Sequence, residues 1–162
     1  MTGAHLHLLV NHAPIFGALF ALCLFLASYQ WAPDVLRRTG FVVLIFTGIA
    51  GAIADFTGDP AEHAVRGFPG IRREVIHEHE EMGEKSFIAA SVVGVLAIAL
   101  LVRARRAPLS NGAAVTGLVT SLILAGMMGY TGLLGGRVRH TEVRPGATPA
   151  DAAAVEPPGR PR

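Results

Sequence analysis

The chain has 162 residues, of which 51% are hydrophobic and only 16% are charged, and its mean hydropathy is +0.46. This balance is too apolar for an ordinary water-soluble domain of that length. The net charge of +2 comes from scattered arginines and not from a basic stripe, so nucleic-acid binding has no support.

Four apolar runs are long enough, or nearly so, to cross a bilayer, which takes roughly 20 mostly apolar residues. In chain order they cover residues 13–31, 41–56, 87–102 and 113–134. The second and third runs are short, but flanking residues can complete them. The sequence therefore predicts an all-α, polytopic membrane protein, with a four-helix transmembrane bundle in contact with the lipid bilayer.

The first span is predicted to stay in the mature protein. It follows "MTGAHLHLLVNH", which has three histidines where a cleavable signal peptide would carry a positively charged stretch. Cys23 is the only cysteine and lies inside this span. A disulfide framework and a thiolate metal cluster are therefore excluded.

The connections between the spans differ in charge. The two short ones, residues 32–40 and 103–112, hold five arginines against one acid, whereas the long one, residues 57–85, holds seven acids and four bases. Short arginine-rich loops normally stay in the cytoplasm. We therefore predict a protein of the bacterial inner membrane with both termini on the extracytoplasmic side.

The long connection contains the start of an extended third helix. Its first part, "TGDPAEHAVRGFPG", predicts turns around a short helical piece. From "IRREVIHEHEEMGEKSF" onward we predict one helix over residues 71–105 that projects two or more turns beyond the membrane. The transmembrane domain then covers residues 1–142. Residues 143–162 are rich in Pro and Ala and are predicted to be a disordered tail.

All seven histidines fall on one side of this topology. His77 and His79 point about 200° apart around a helix, so they cannot serve one site together. The face of His79 continues through small residues, and that of His77 through acids. We therefore predict that His79 lies above the bundle interior and that His77 faces water. His12 opens the first helix at the same boundary, and His140 follows the fourth.

Small residues on a membrane helix indicate either helix contact or room for a cofactor. Asp55 shares a face with glycines of the second helix, so we predict it over the interior near the outer end. An ionisable residue there is a functional candidate, and the alternative is a helix-end carboxylate that reaches the headgroups. The pair Gly135–Gly136 predicts that the fourth helix ends there. The chain would then turn back and bring Arg139 and His140 over the bundle mouth.

Two neutral imidazoles on facing helices can hold a b-type haem through both axial positions of its iron. The predicted ligands are His12 with His79, or either of them with His140. Arg139 is the predicted partner of the haem propionates, because a guanidinium binds a carboxylate in a two-pronged fashion. This hypothesis favours electron transfer or binding over catalysis as the role of the protein.

A transition-metal ion (Zn, Cu or non-haem Fe) is the first alternative. Its predicted ligands are three histidines and one carboxylate: His12, His79, His140 and Glu80. Asp55 and Glu62 would hydrogen-bond to the ligands, or one of them would take the place of Glu80 as the carboxylate ligand. "HEHEE" does not match the zinc-protease spacing, and no serine–histidine–acid motif or phosphate-binding glycine loop is present. The second alternative is a cofactor-free subunit or assembly factor of a membrane complex.

Four motifs, "HLHLLVNHAPIFG", "TGDPAEHAVRGFPG", "IHEHEE" and "YTGLLGGRVRHTE", resemble those of uncharacterised small four-helix bacterial membrane proteins. That group is loosely similar to predicted membrane proteins with an N-terminal histidine–proline motif. The resemblance covers residues 6–142. It implies a shared set of positions: His12, His79, His140, Glu62, Glu80 and Arg139. Relatives in the larger set look redox-associated, which favours haem by analogy. A redox partner, a membrane complex or a second copy of the chain is the expected partner.

Overall fold

A computed structural model describes residues 3–68 and 70–148, and all regular structure within them is helical. The helices are α1 (Gly3–Val10), α2 (Ala13–Ala27), α3 (Pro33–Phe56), α4 (Gly58–Val65), α5 (Arg73–Arg103) and α6 (Asn111–Arg139), followed by a single 3-10 turn (Thr141–Val143). The predicted tail beyond residue 148 lies outside the described residues.

Four helical segments are long and apolar enough to cross a membrane. They are Ala4–Ala27, Pro33–Val65, Arg73–Arg103 and Asn111–Arg139. The predicted all-α fold with four transmembrane helices is therefore confirmed. At 1.5 Å per residue, the 31 residues of α5 extend about 46 Å, which exceeds a hydrocarbon core of about 30 Å. Its charged residues 73–85 therefore project beyond the membrane, and the predicted extension of the third helix is confirmed.

The long helices form a ring in which each packs against two neighbours. The order around the ring is α2, α3, α5 and α6, and α1 and α4 pack together beside the end of α3. All helix ends near the two arginine-rich connections lie at one end of the bundle, which we call the arginine end. The opposite end, formed by α1, α4, residues 73–85 and residues 137–148, is called the polar end.

Small residues bring the helix backbones into close contact. A Cβ atom built on Gly48 of α3 would lie 2.9 Å from the carbonyl oxygen of Ala90 in α5, and Gly94 also faces the α3 backbone. On the other side of the ring, the fully buried Phe25 fills the space left by Gly40 and Gly117. The small-residue faces of α3 and α5 therefore make helix contacts and do not leave room for a cofactor.

The arginine end is held together by hydrogen bonds to the α5–α6 connection. Arg37 donates to the carbonyl oxygen of Leu109 at 2.7 Å and to Asn111 Oδ1 at 2.6 Å. Asp34 accepts from the Leu109 main-chain N–H at 2.7 Å and pairs with Arg38 at 2.8 Å. Charged side chains of α3 therefore satisfy main-chain groups of the connection that lie outside any helix.

The contact at Gly48 gives a direct stability test. In Gly48→Ala the new methyl meets main chain that cannot rotate away, so α3 and α5 must separate. We expect the free energy of unfolding to fall by about 1–3 kcal/mol. Equilibrium unfolding in mixed micelles with increasing SDS measures this change.

Gly126→Ala is the matched control, because nothing lies within 4 Å of a Cβ atom at Gly126. Alanine favours a helix over glycine by about 1 kcal/mol. The control should therefore be at least as stable as the unmodified protein. Equal losses in the two variants would contradict the close α3–α5 contact.

Candidate functional site

The imidazole of His79 is fixed between α5 and α6. Its Nδ1 lies 3.0 Å from the carbonyl oxygen of Thr131, and the ring packs against Gly135, where a Cβ atom would be 3.0 Å from Cε1. A carbonyl oxygen only accepts, so Nδ1 carries the proton and Nε2 of the neutral ring carries the lone pair. His77 is exposed. The predicted assignment of faces on α5 is confirmed.

His7, and not His12, is the histidine that interacts electrostatically with His79. The Nδ1 atom of His7 lies 3.0 Å from the carbonyl oxygen of Ala54 and 3.2 Å from Thr57 Oγ1, at the end of α3. The imidazoles of His7 and His79 are near enough to interact electrostatically. His12 is exposed at the N-terminal cap of α2. The structure does not bring His12 to His79.

His7 points toward the bundle and His12 does not, because α1 and α2 pack against the bundle through one continuous stripe of side chains. Its spacing alternates three and four residues, as on the contact face of a packed helix. It comprises Ala4, His7, Asn11, Pro14, Ala18, Ala21 and Phe25, of which the last four are buried. His12 lies off this stripe. Following the stripe back from Pro14 by two turns would have identified His7 from the sequence.

The end of α6 differs from the expected turn at Gly135–Gly136. The helix continues to Arg139, and Gly135 forms the surface against which His79 packs. The turn back follows instead at residues 140–148. There Arg144 donates to the carbonyl oxygens of Arg137 at 2.8 Å and of Gly70 at 2.8 Å.

Arg139 and His140 therefore face outward. The Arg139 guanidinium lies 5.8 Å from the ring centroid of Phe68, a cation–π contact. His140 is exposed and its Nδ1 lies 3.0 Å from Glu142 Oε1. The structure does not place either residue over His79.

Asp55 is also exposed, which corrects its expected position over the interior. The inner position at the end of α3 belongs to Thr57, which is buried and contacts His7. Gly48, Gly51 and Asp55 share one face of α3, but this face is buried at the two glycines and exposed at Asp55, next to the end of the helix.

Two acids, Glu62 of α4 and Glu80 of α5, are hydrogen-bonded to each other. A hydrogen bond between two carboxyl groups requires one proton, since two carboxylates have no donor. Partial burial and the neighbouring Glu62 carboxyl raise the pKa of Glu80 to about 7. The hydrogen bond from Glu80 and the guanidinium of Arg66 lower the pKa of Glu62. Glu80 therefore holds the proton and joins α4 to α5.

Two buried polar atoms at the polar end have no hydrogen-bond partner within the described part of the chain. They are Asn11 Oδ1, on the buried stripe of α1 and α2, and Arg137 Nε, near the end of α6. An unsatisfied buried polar atom in a folded protein indicates strain, a bound group or water. Sequence reasoning identified neither atom, because its position depends on how the helices pack.

The predicted metal-ion ligands are dispersed. Over residues 3–68 and 70–148, no group of three or more His, Cys, Asp or Glu side chains is arranged to hold a metal ion. His12 and His140 are exposed, and Glu80 is bonded to Glu62. A haem needs only two histidines, so the absence of a larger group in the described residues does not bear on haem binding.

Comparison with protein-family models, curated proteins and solved structures finds no match to this chain. The resemblance of its motifs to other small four-helix membrane proteins stays a prediction, as do the haem and metal hypotheses.

The Glu62–Glu80 pair predicts a pH-dependent attachment of α4. Because the folded state raises the pKa of Glu80 above its unfolded value, the folded state binds more protons, and stability falls as pH rises from about 5 to 7. We expect amide hydrogen exchange in α4, corrected for intrinsic rates, to be faster at pH 8 than at pH 5.5.

Glu80→Gln should remove this pH dependence, since the amide donates to the Glu62 carboxylate at either pH. Glu81→Gln is the neighbouring control, because Glu81 is exposed and pairs with Lys85 at 2.8 Å. It should keep the pH response of the unmodified protein. An unchanged response in Glu80→Gln would show that the pair does not control the exchange of α4.

Proposed function

We propose that this chain is a membrane-embedded redox protein that binds a b-type haem at its polar end, with His79 and His7 as the ligands. A bound haem supplies one-electron transfer between ferric and ferrous iron. The chain supplies the ligand nitrogens, their orientation and partners for the propionates.

The observation that carries the proposal is the shared hydrogen-bonding pattern of the two histidines. Each directs Nδ1 at a main-chain carbonyl oxygen at 3.0 Å, one at Thr131 and the other at Ala54. Metal-ligating histidines almost always have such a partner, which fixes the tautomer and the ring orientation and leaves Nε2 free to bind. The two histidines also influence each other electrostatically, so they could serve together as the two protein ligands of a haem.

Arg137 supports a haem over a bare ion. Within the described residues its Nε atom is buried without a partner, at the polar end of α6. A haem carries two propionate carboxylates, and a guanidinium is a strong partner for a carboxylate. Arg137 serves this role better than the predicted Arg139, which is exposed and lies over Phe68.

The number of protein ligands also favours haem. Protein sites for Zn and non-haem Fe use three or four side chains, and residues 3–68 and 70–148 hold no such group. Haem iron needs only two. Within the spans, neighbouring main chain fills the space beside Gly48 and Gly94. The haem is therefore proposed at the polar end.

The same proposal includes an orientation. Because the arginine-rich connections favour the cytoplasm, the polar end would lie on the extracytoplasmic side of the bacterial inner membrane. The haem would then exchange electrons with a redox partner or a membrane complex on that side.

The test is an absorption spectrum of the purified, haem-replete protein, oxidised and reduced, with elemental analysis of the same sample. We expect a Soret band and one iron for each chain. His79→Ala and His7→Ala should each lose the band, because either change would remove one of the two residues proposed to hold the haem. His77→Ala and His12→Ala are the matched controls and should keep it, since both side chains are exposed.

The other outcomes decide between the alternatives. A stoichiometric metal without haem would favour the metal-ion hypothesis, and neither would favour a cofactor-free subunit. Loss of the band in His12→Ala with retention in His7→Ala would restore the ligand pair expected from the sequence.

A further inference from the structure

The α5–α6 connection at the arginine end is held in one conformation by charged side chains of α3. Arg38 donates to the carbonyl oxygens of Ala104 at 2.8 Å and Ala107 at 2.7 Å. Arg37 and Asp34 hold the carbonyl and the N–H of Leu109. Backbone groups on both sides of residues 105–106 are therefore tied to α3.

This connection presents three arginines to solvent or lipid: Arg103, Arg105 and Arg106, all exposed. None of their guanidinium groups makes a hydrogen bond or ion pair with any residue in the described ranges. Asp34 is the only acid in the two short connections, and Arg38 and the Leu109 N–H already occupy it. Within residues 3–68 and 70–148, three positive charges are therefore left without a counter-charge.

Aromatic residues place these charges at the level of the lipid headgroups. Tyr29 and Trp31 follow α2 at the same end and are 46% and 69% exposed. Such residues are enriched at the boundary between lipid and water. Arginine there reaches phosphate oxygens, which its planar guanidinium binds through two parallel hydrogen bonds.

We infer that Arg103, Arg105 and Arg106 form a binding surface for the headgroups of anionic phospholipids. The surface is distinct from the haem site proposed for the opposite end and does not depend on it. Its ligand chemistry is a phosphodiester with net negative charge, as in phosphatidylglycerol. A zwitterionic headgroup carries an ammonium that opposes binding to the arginines.

Trp31 makes the inference testable, because it is the only tryptophan and lies at the arginine end. The full-length protein is reconstituted in mixed bilayers in which either phosphatidylglycerol or phosphatidylcholine carries brominated acyl chains. Quenching of Trp31 fluorescence then gives the relative binding constant of the two lipids. We expect a preference for phosphatidylglycerol, reduced by about fivefold for each arginine removed at low salt.

Arg105→Gln with Arg106→Gln is the main variant and should lose most of the preference. Arg72→Gln with Arg73→Gln is the control of equal charge at the polar end and should keep it. Arg105→Lys with Arg106→Lys retains the charge, so it should keep a preference if the double glutamine variant acts through charge and not through misfolding. Equal quenching by both lipids in the unmodified protein would overturn the inference.

Inorganic phosphate distinguishes a lipid surface from a site for the free anion. The preference should respond equally to phosphate and to chloride at the same ionic strength, since screening depends only on ionic strength. Specific loss of the preference with phosphate would assign the arginines to a soluble anion and overturn the lipid assignment.

Discussion

The structure depends on the close approach of α3 and α5, where Gly48 lies against the Ala90 carbonyl. Lipid is as apolar as a leucine side chain, so helices in a bilayer gain stability mainly from van der Waals contact between closely packed backbones. This contact fixes the height of α3 relative to α5. It therefore determines that Thr57, at the end of α3, lies level with the His79 region, where α1 can dock through His7.

The two ends of the bundle use charge in different ways. At the arginine end, Arg37, Arg38 and Asp34 satisfy main-chain groups of the α5–α6 connection and make it rigid. At the polar end, two acids share a proton, and Arg137 Nε is buried without a partner in the described residues. Each end also has a buried guanidinium Nε without a partner in the described residues, Arg37 at the arginine end and Arg137 at the polar end.

The sequence predicted the fold well and the site only in part. The four spans follow from composition, because a bilayer demands long apolar helices whatever their packing. The choice of His79 over His77 follows from the period of one helix. Asp55 is exposed and not directed inward, because a helical face shows on which side a residue lies but not how far along the bundle its neighbours cover it. His12 is exposed as well, and its role as a ligand stays a prediction.

The sequence by itself determined the class, the number of spans, the absence of histidines from the two short arginine-rich connections and the inner face of α5. These are properties of single helices, set by hydrophobicity and by a period of 3.6 residues. Only the tertiary structure decided that His7 is the neighbour of His79, that Glu62 bonds to Glu80 and that the glycines are contact surfaces. Each of those depends on the rotation and height of one helix against another, which van der Waals contact fixes and no single segment encodes.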